Sequence, residues 1–391
     1  MGLIDVFHDN KVPKVVLRYI MMNFLDLDSI KKVILTVKEL NILDNYSKLF
    51  LVNANKGFFW NCFHGHLDVA QWLYSIGCCG AKELQQSVAN SQYSINMYGK
   101  CQDIVRWLDE NNRHYLAQYI QINCNAKYIS VIQYMEFIFI LCCENGHLSV
   151  AQWLVQITQQ NCGINIHVDN EVAFRWSCAN GHLDVAQWLH SLCSVNIHAN
   201  KEYAFRLSCK YGYLNVAKWL HSLGRSVAKA TDQPAVCGQG NIDIHIYDEA
   251  AFEESCQNGH LDVAQWLYSL GDINIHADNE YAFRWSCGKN HWAIVQWLCS
   301  LGGIDIHAYS DFAFRISCEN GHFSMAKWLH SQGGVDIHAK DDFAFQVSCA
   351  NGHFAMAQWL HSQGSVNIHA SDDFAFKNST GEIKKWLKNI E

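Results

Sequence analysis

A Trp-Leu pair recurs along this chain at a fixed step. It stands at Trp188 and Trp219, then at Trp266, Trp297, Trp328 and Trp359, each of these last steps being 31 residues. The step from Trp219 to Trp266 is 47, or 31 plus 16, and Arg225–Gly240 has the length and the Gly, Pro and Ser content of an inserted loop. A period of this length means stacked copies of one small unit. No copy can bury its apolar face alone, so each must cover its neighbour.

The stretch Asp278–Ala308 (DNEYAFRWSCGKNHWAIVQWLCSLGGIDIHA) holds one copy. Glu280–Cys287 reads as a short helix with Phe283 and Cys287 on one face and Ala282 and Ser286 as a second small pair. Gly or Asn followed by His makes a turn. The next segment, HLDVAQWLHSLC in the copy beginning at His182, reads as a second helix through Leu183, Ala186, Trp188 and Leu189. The alternating I-N-I-H-A then reads as a short extended finger.

Two antiparallel helices, a Gly-His turn and a finger resemble an ankyrin repeat. GHLDVAQWL is similar to the family's second helix, and A-F-R-x-S-C stands where its T-P-L-H-x-A-A signature stands. Tyr281-Ala282 replaces Thr-Pro, Arg284 replaces His, and the unit is 31 residues against about 33. The resemblance implies an all-α ankyrin-repeat solenoid of helix-turn-helix units with short fingers. It covers about ten units over residues 53–391, with a degenerate copy at Glu83–Glu110, an irregular connection at about 111–130, the loop at 225–240 and a truncated last copy from Phe374. The shortened, Pro-poor style resembles ankyrin proteins of large DNA viruses of protists, which implies a cytoplasmic location, the host's if the chain is viral.

Composition narrows the function. A net charge of −8 offers nothing to a phosphate backbone, so nucleic acid is not an expected partner. No apolar run is long enough to span a bilayer, and MGLIDVFHDN lacks the features of a signal peptide. Seventeen cysteines without such a signal point to reduced thiols. Cys and His recur in register, as in Cys178 and His182, but such pairs advance with the repeat instead of converging on one point as zinc requires. The Cys sits where a small buried residue belongs, and the turn His is expected to hydrogen-bond backbone. No catalytic or nucleotide-binding motif is present, so neither enzyme activity, metal nor cofactor is expected.

The positions that change between copies mark where a protein partner can be read. They are Lys201, Asn279, Tyr309, Lys340 and Asp341 after the finger, and Arg175, Trp176, Arg206, Arg284, Trp285 and Arg315 after the constant Phe of the first helix. The resemblance places both sets on the concave side of the array, where Trp and Arg suit an interface. Residues 1–52 lack the repeat. Val12–Lys38 resembles an F-box, which implies a Skp-type adaptor of an SCF-type ubiquitin ligase docked on Pro13, Leu17, Ile20, Leu25, Leu27 and Ile30. The alternative is that the same apolar residues cap the first repeat.

Overall fold

A computed structural model of the chain describes residues 58–59, 61–75, 94–95, 129–159, 163–192, 195–228 and 241–391. The N-terminal F-box-like stretch, with Pro13, Leu17, Ile20, Leu25, Leu27 and Ile30, lies outside them. The chain divides into two compact units, Met1–Ile166 and His167–Glu391.

In the first unit the described elements are α1 (Leu67–Ser75), an antiparallel pair of β1 (Ser94–Ile95) with β2 (Ile129–Ser130), α2 (Val131–Glu144) and α3 (Leu148–Thr158). The second unit is seven helix pairs, each named here by the finger histidine that precedes it. The His167 pair is α4 (Val168–Ala179) and α5 (Leu183–Leu192), and the His198 pair is α6 (Ala199–Lys210) and α7 (Leu214–Ala228). The His245 pair is α8 (Ile246–Gln257) and α9 (Leu261–Ser269), and the His276 pair is α10 (Ala277–Gly288) and α11 (Trp292–Leu301). The His307 pair is α12 (Ala308–Glu319) and α13 (Phe323–Ser331), and the His338 pair is α14 (Ala339–Ala350) and α15 (Phe354–Gln363). The His369 pair, α16 (Ala370–Asn378) and α17 (Gly381–Ile390), closes the chain. Helix α7 continues to Ala228, so the first residues of the loop expected at 225–240 are helical.

Small residues set the spine. Ala282, Phe283, Ser286 and Cys287 are at most 1% exposed. From the His167 pair to the His338 pair, each first helix packs on the first helix of the next pair and on its own second helix. The close approach is satisfied chemically: Ser286 Oγ lies 2.6 Å from the Ala282 carbonyl and 3.1 Å from that of Cys256 in the preceding pair. Ser317 and Ser348 reach Cys287 and Cys318 in the same way. A buried hydroxyl finds its acceptors only while the neighbouring helix is in register.

The turn between helices couples neighbours on a second level. Gly259 has φ +88, and a Cβ there would lie 2.8 Å from the His291 ring. That ring donates from Nε2 to the Gln257 carbonyl at 3.1 Å, and His353 does the same to Glu319 at 3.0 Å. Glycine thus serves a left-handed turn and makes room for the next pair's histidine. Gly352 opens on empty space, and the residue that would follow in register is Thr380 rather than His.

The first unit shows these same neighbour contacts between Phe58–Ser75 and the α2–α3 pair. His147 Nε2 donates to the Phe63 carbonyl at 2.8 Å, a Cβ on Gly65 would meet His147, and Cys142 Sγ donates to the Cys62 carbonyl. The degenerate copy expected at Glu83–Glu110 lies outside the described residues, apart from Ser94–Ile95. The most apolar stretch, Tyr134–Cys143, is core: apart from Glu136 its residues are at most 6% exposed. Among the described residues no helix is long and apolar enough to cross a membrane.

In the second unit Trp219, Trp266, Trp297, Trp328, Trp359 and Trp386 each project from a second helix against the preceding pair. Trp297 lies 6.2 Å from Phe252 and 5.8 Å, edge-on, from Tyr268. Its ring is half-buried, so Trp297→Ala is expected to destabilise by about 2–4 kcal/mol, below the loss for a fully buried ring. Urea denaturation followed by circular dichroism checks this; an unchanged midpoint would place the ring outside the packing.

Candidate functional site

Each finger of the second unit is closed by backbone of unusual hand. In all seven, three consecutive residues have positive φ: Asp169–Glu171, Asn200–Glu202, Tyr247–Glu249, Asp278–Glu280, Tyr309–Asp311, Lys340–Asp342 and Ser371–Asp373. Left-handed backbone costs a non-glycine residue roughly 1–2 kcal/mol, least for Asn and Asp. In each triplet the first two residues are exposed; in the first six the third is a carboxylate at most 6% exposed.

That carboxylate is the pin. His276 Nδ1–H donates to Glu280 Oε1 at 2.8 Å, and the same oxygen accepts the backbone N–H of Asp305, in the following finger, at 3.2 Å. Glu171 and Glu249 repeat the arrangement with Asn196 and Asn274. Where the residue is Asp the labour is divided: Asp342 Oδ1 takes His338 at 2.6 Å and Oδ2 takes the Asn367 N–H at 2.9 Å. With Glu one oxygen receives both bonds, and the second oxygens of Glu171, Glu202, Glu249 and Glu280 are buried without a partner. In the last pair no finger follows, and Asp373 is 48% exposed. The I-N-I-H and I-D-I-H spellings are explained as well, since Asn274 Oδ1 and Asp305 Oδ1 accept the N–H of His276 and His307 two residues on.

Arginine supplies the rest of the support. Arg284 Nε donates to the Asn279 carbonyl at 2.6 Å and Nη2 to that of Asp278 at 2.8 Å. Arg175 and Arg315 make the same two bonds. Arg175, Arg284 and Arg315 are thereby 3%, 6% and 7% exposed, which corrects the expectation that they are displayed. Their guanidinium planes lie among aromatic rings: Arg284 is 5.1 Å from the Tyr309 centroid and 4.9 Å from that of Phe312. Trp176, Trp285 and Arg206 are half-buried beside them, with Trp285 5.6 Å from Phe312. Lys201, Asn279, Tyr309, Lys340 and Asp341 are exposed, all within the first two places of a triplet. The structure thus brings the candidates onto one face in two layers, variable residues outside and arginines beneath. Sequence reasoning missed the buried acid, although an acidic residue four places after each I-H histidine was visible.

The cysteines of the first helices are buried thiols. Burial raises Cys349 to about 12 and Cys178, Cys256 and Cys318 further, so none is a ready nucleophile at neutral pH. Among the described residues no group of three or more His, Cys, Asp or Glu is gathered to hold a metal ion.

The pin and the half-buried histidines are each open to measurement. Glu280→Ala leaves the His276 and Asp305 donors without an acceptor and should destabilise by about 2–3 kcal/mol in denaturant titration, while Glu280→Asp should hold, as Asp311 and Asp342 do. The histidines predict a dependence on pH. Burial lowers the folded pKa of His182, His190, His291 and His322 below the ordinary 6.5. The unfolded chain then takes up protons first, so this stabilisation is complete above about pH 6.5 and is lost as pH falls through that value. Glu253, raised to about 7, has the opposite sign: its contribution is present at low pH and lost as pH rises through about 7. With five such histidines, His64 included, against two raised carboxyls, Glu136 and Glu253, the melting temperature at pH 5.5 should lie below that at pH 7.5; a rise would mean the histidines are stabilised in charged form.

The family model described as ankyrin repeats in three copies matches residues 138–232 and 252–341, in agreement with this geometry. No curated protein matches the chain. Among solved structures, the crystal structure of human ASB11 ankyrin repeat domain is similar at a TM-score of 0.38 and 14% sequence identity, over 56% of this chain and 97% of that one. Residues 138–232 and 252–341 thus carry ankyrin repeats, and the seven helix pairs of the second unit form an α-helical repeat array of that kind.

Proposed function

We propose that this chain is a non-catalytic scaffold that binds a protein partner on the face formed by its fingers and first helices. Ankyrin repeats are in general protein-interaction modules. The observation that carries the reading here is the division of labour within each triplet. The inward residue is always an acid, whereas the two outward residues change from pair to pair: Asn200-Lys201, Asp278-Asn279, Tyr309-Ser310, Lys340-Asp341. Variation confined to exposed places on a constant frame is how a repeat array writes specificity. Tyr309 at 65% exposure is a large ring held in solvent beside Arg284, the composition of an interface hot spot.

The test is capture from an extract of the native cell, followed by mass spectrometry. A variant with Asn279→Ala, Tyr309→Ala and Lys340→Ala is expected to lose about 90% or more of the captured partner, consistent with a loss above about 1.4 kcal/mol. Its melting temperature should fall by only a few degrees, because none of the three side chains joins the pinning bonds, although Ala tolerates the left-handed backbone at position 279 less well than Asn. Equal capture by the variant would move the binding surface elsewhere.

The resemblance of Val12–Lys38 to an F-box supports a second reading, substrate receptor of an SCF-type ubiquitin ligase, with the same finger face holding the substrate. The viral style of the repeats belongs with either reading and would place the chain in a host cytoplasm. Leu17→Asp with Ile20→Asp separates the readings. Loss of a co-purifying Skp-type adaptor with normal melting supports the receptor. No adaptor with wild type, together with lowered melting of the variant, leaves the scaffold and assigns these residues to a cap.

A further inference from the structure

One pair breaks a pattern of donors. Eight residues after the finger histidine stand Arg175, Arg206, Glu253, Arg284, Arg315, Gln346 and Lys377. Six of the seven carry N–H donors. Arg175, Arg284 and Arg315 give two bonds each to the carbonyls of their triplets, Arg206 gives one to Lys201, and Gln346 gives one to Asp341. Glu253 has no N–H to give to Tyr247 or Asp248.

Its own carboxylate is also unsatisfied. Glu253 is 9% exposed, and Oε1 is buried without a hydrogen-bond partner. Burial, then Asp278, then Glu249 and Asp248 push its carboxyl up to about 7, with Arg284 as the opposing cation. Beside it Glu254 is already held by Lys210 at 3.3 Å. Four carboxylates, those of Asp248, Glu249, Glu253 and Asp278, thus meet the field of one guanidinium. The place has what a guanidinium recognises, an unpaired carboxylate oxygen in a negative field, and lacks the one that neighbouring pairs supply from within.

We propose that an arginine side chain of the protein partner completes this pair, docking at Glu253 between the fingers of the His245 and His276 pairs. The proposal rests on the reading of the finger face as the binding surface, and it names the chemistry read there. A planar fork of donors suits a carboxylate oxygen and backbone carbonyls together better than a lysine ammonium does. The exposed ring of Tyr247 already carries Arg206 at 5.0 Å and Lys201 at 5.2 Å from its centroid, so the carboxylate oxygen is the recognition element. The lack of any gathered metal-ligand group among the described residues argues against an inorganic cation as the occupant. The exposed acids are what an approaching cation meets first, so binding is expected to weaken with salt.

The test uses the full chain as bait for random peptides displayed on phage. Selected peptides are then synthesised with arginine, with lysine and with citrulline, the uncharged isostere of arginine. Enrichment of arginine is expected, with affinity falling about tenfold or more for citrulline and less for lysine. Glu253→Arg, which installs the residue of the neighbouring pairs, should abolish that preference and melt no lower than wild type. Glu253→Gln, which copies the residue of the His338 pair, is the second variant should the first fail to fold. Peptides that lack arginine yet lose binding on Tyr309→Ala would overturn this proposal and keep the finger face as the interface. Binding indifferent to Glu253→Arg, to citrulline and to Tyr309→Ala would overturn both. Failure to select any arginine-dependent peptide counts against the proposal.

Discussion

A buried carboxylate, accepting from its own finger's histidine and from the next finger's backbone, is the contact on which the rest of the second unit depends. Without it the left-handed triplet has no reason to persist. Three consecutive residues of positive φ cost several kcal/mol in isolation. The chain tolerates them because one acid receives two donors and, in three pairs, an arginine takes two carbonyls, with the carboxylate and the guanidinium both buried. The same acid binds two fingers together, so the strain of one pair is relieved partly by its neighbour. In the His369 pair Asp373 still accepts from His369 at 2.7 Å but is 48% exposed.

Two further levels of coupling run in parallel with this one. Along the spine, Ser286, Ser317 and Ser348 reach back to the cysteine carbonyls of the preceding pair. At the turns, His291 and His353 reach back to Gln257 and Glu319, over glycines that leave them room. Behind these, Trp219, Trp266, Trp297, Trp359 and Trp386 each pack on the phenylalanine of the preceding first helix. Every level joins nearest neighbours only. Stability in such an array is a sum of pair and interface terms, so a lesion at one interface is felt next door and fades beyond.

Much of this was legible in the sequence. The constant Phe, Ser, Cys, Gly and Trp mark the spine, the turn and the back because each sits where only one size or hand of residue fits. The repeat period gave the helix pairs and their turns nearly to the residue. The finger was not legible in the same way. A stretch such as Asp278-Asn279-Glu280 spells an exposed polar cap, and nothing local says that Glu280 turns inward while its two neighbours stay out. The arginines were misplaced for the same reason: Arg284 reads as a surface residue until the strained carbonyls it serves are seen. The signal lay in pairing across the unit, the acid four places after the histidine and the donor eight places after it. The F-box-like reading of Pro13 to Ile30 lies outside the described residues, as does most of the loop at 225–240, so neither gains geometry from the structure.

The pinned triplet also answers why specificity can vary cheaply here. Its outward residues take no part in the bonds that hold the finger, so exchanging Asn279 for Tyr or Lys changes what is displayed and leaves the frame intact. Lys201, Tyr309 and Lys340 show that the left-handed positions accept long and aromatic side chains when the pin is present. The arginine position has no such freedom, because it is a structural donor in disguise. Gln346 and Lys377 keep a donor there, and Glu253 alone of the seven brings an acceptor. An array of near-identical parts thus carries two kinds of variation: free variation at the surface, and a restricted position beneath it where a donor is the rule.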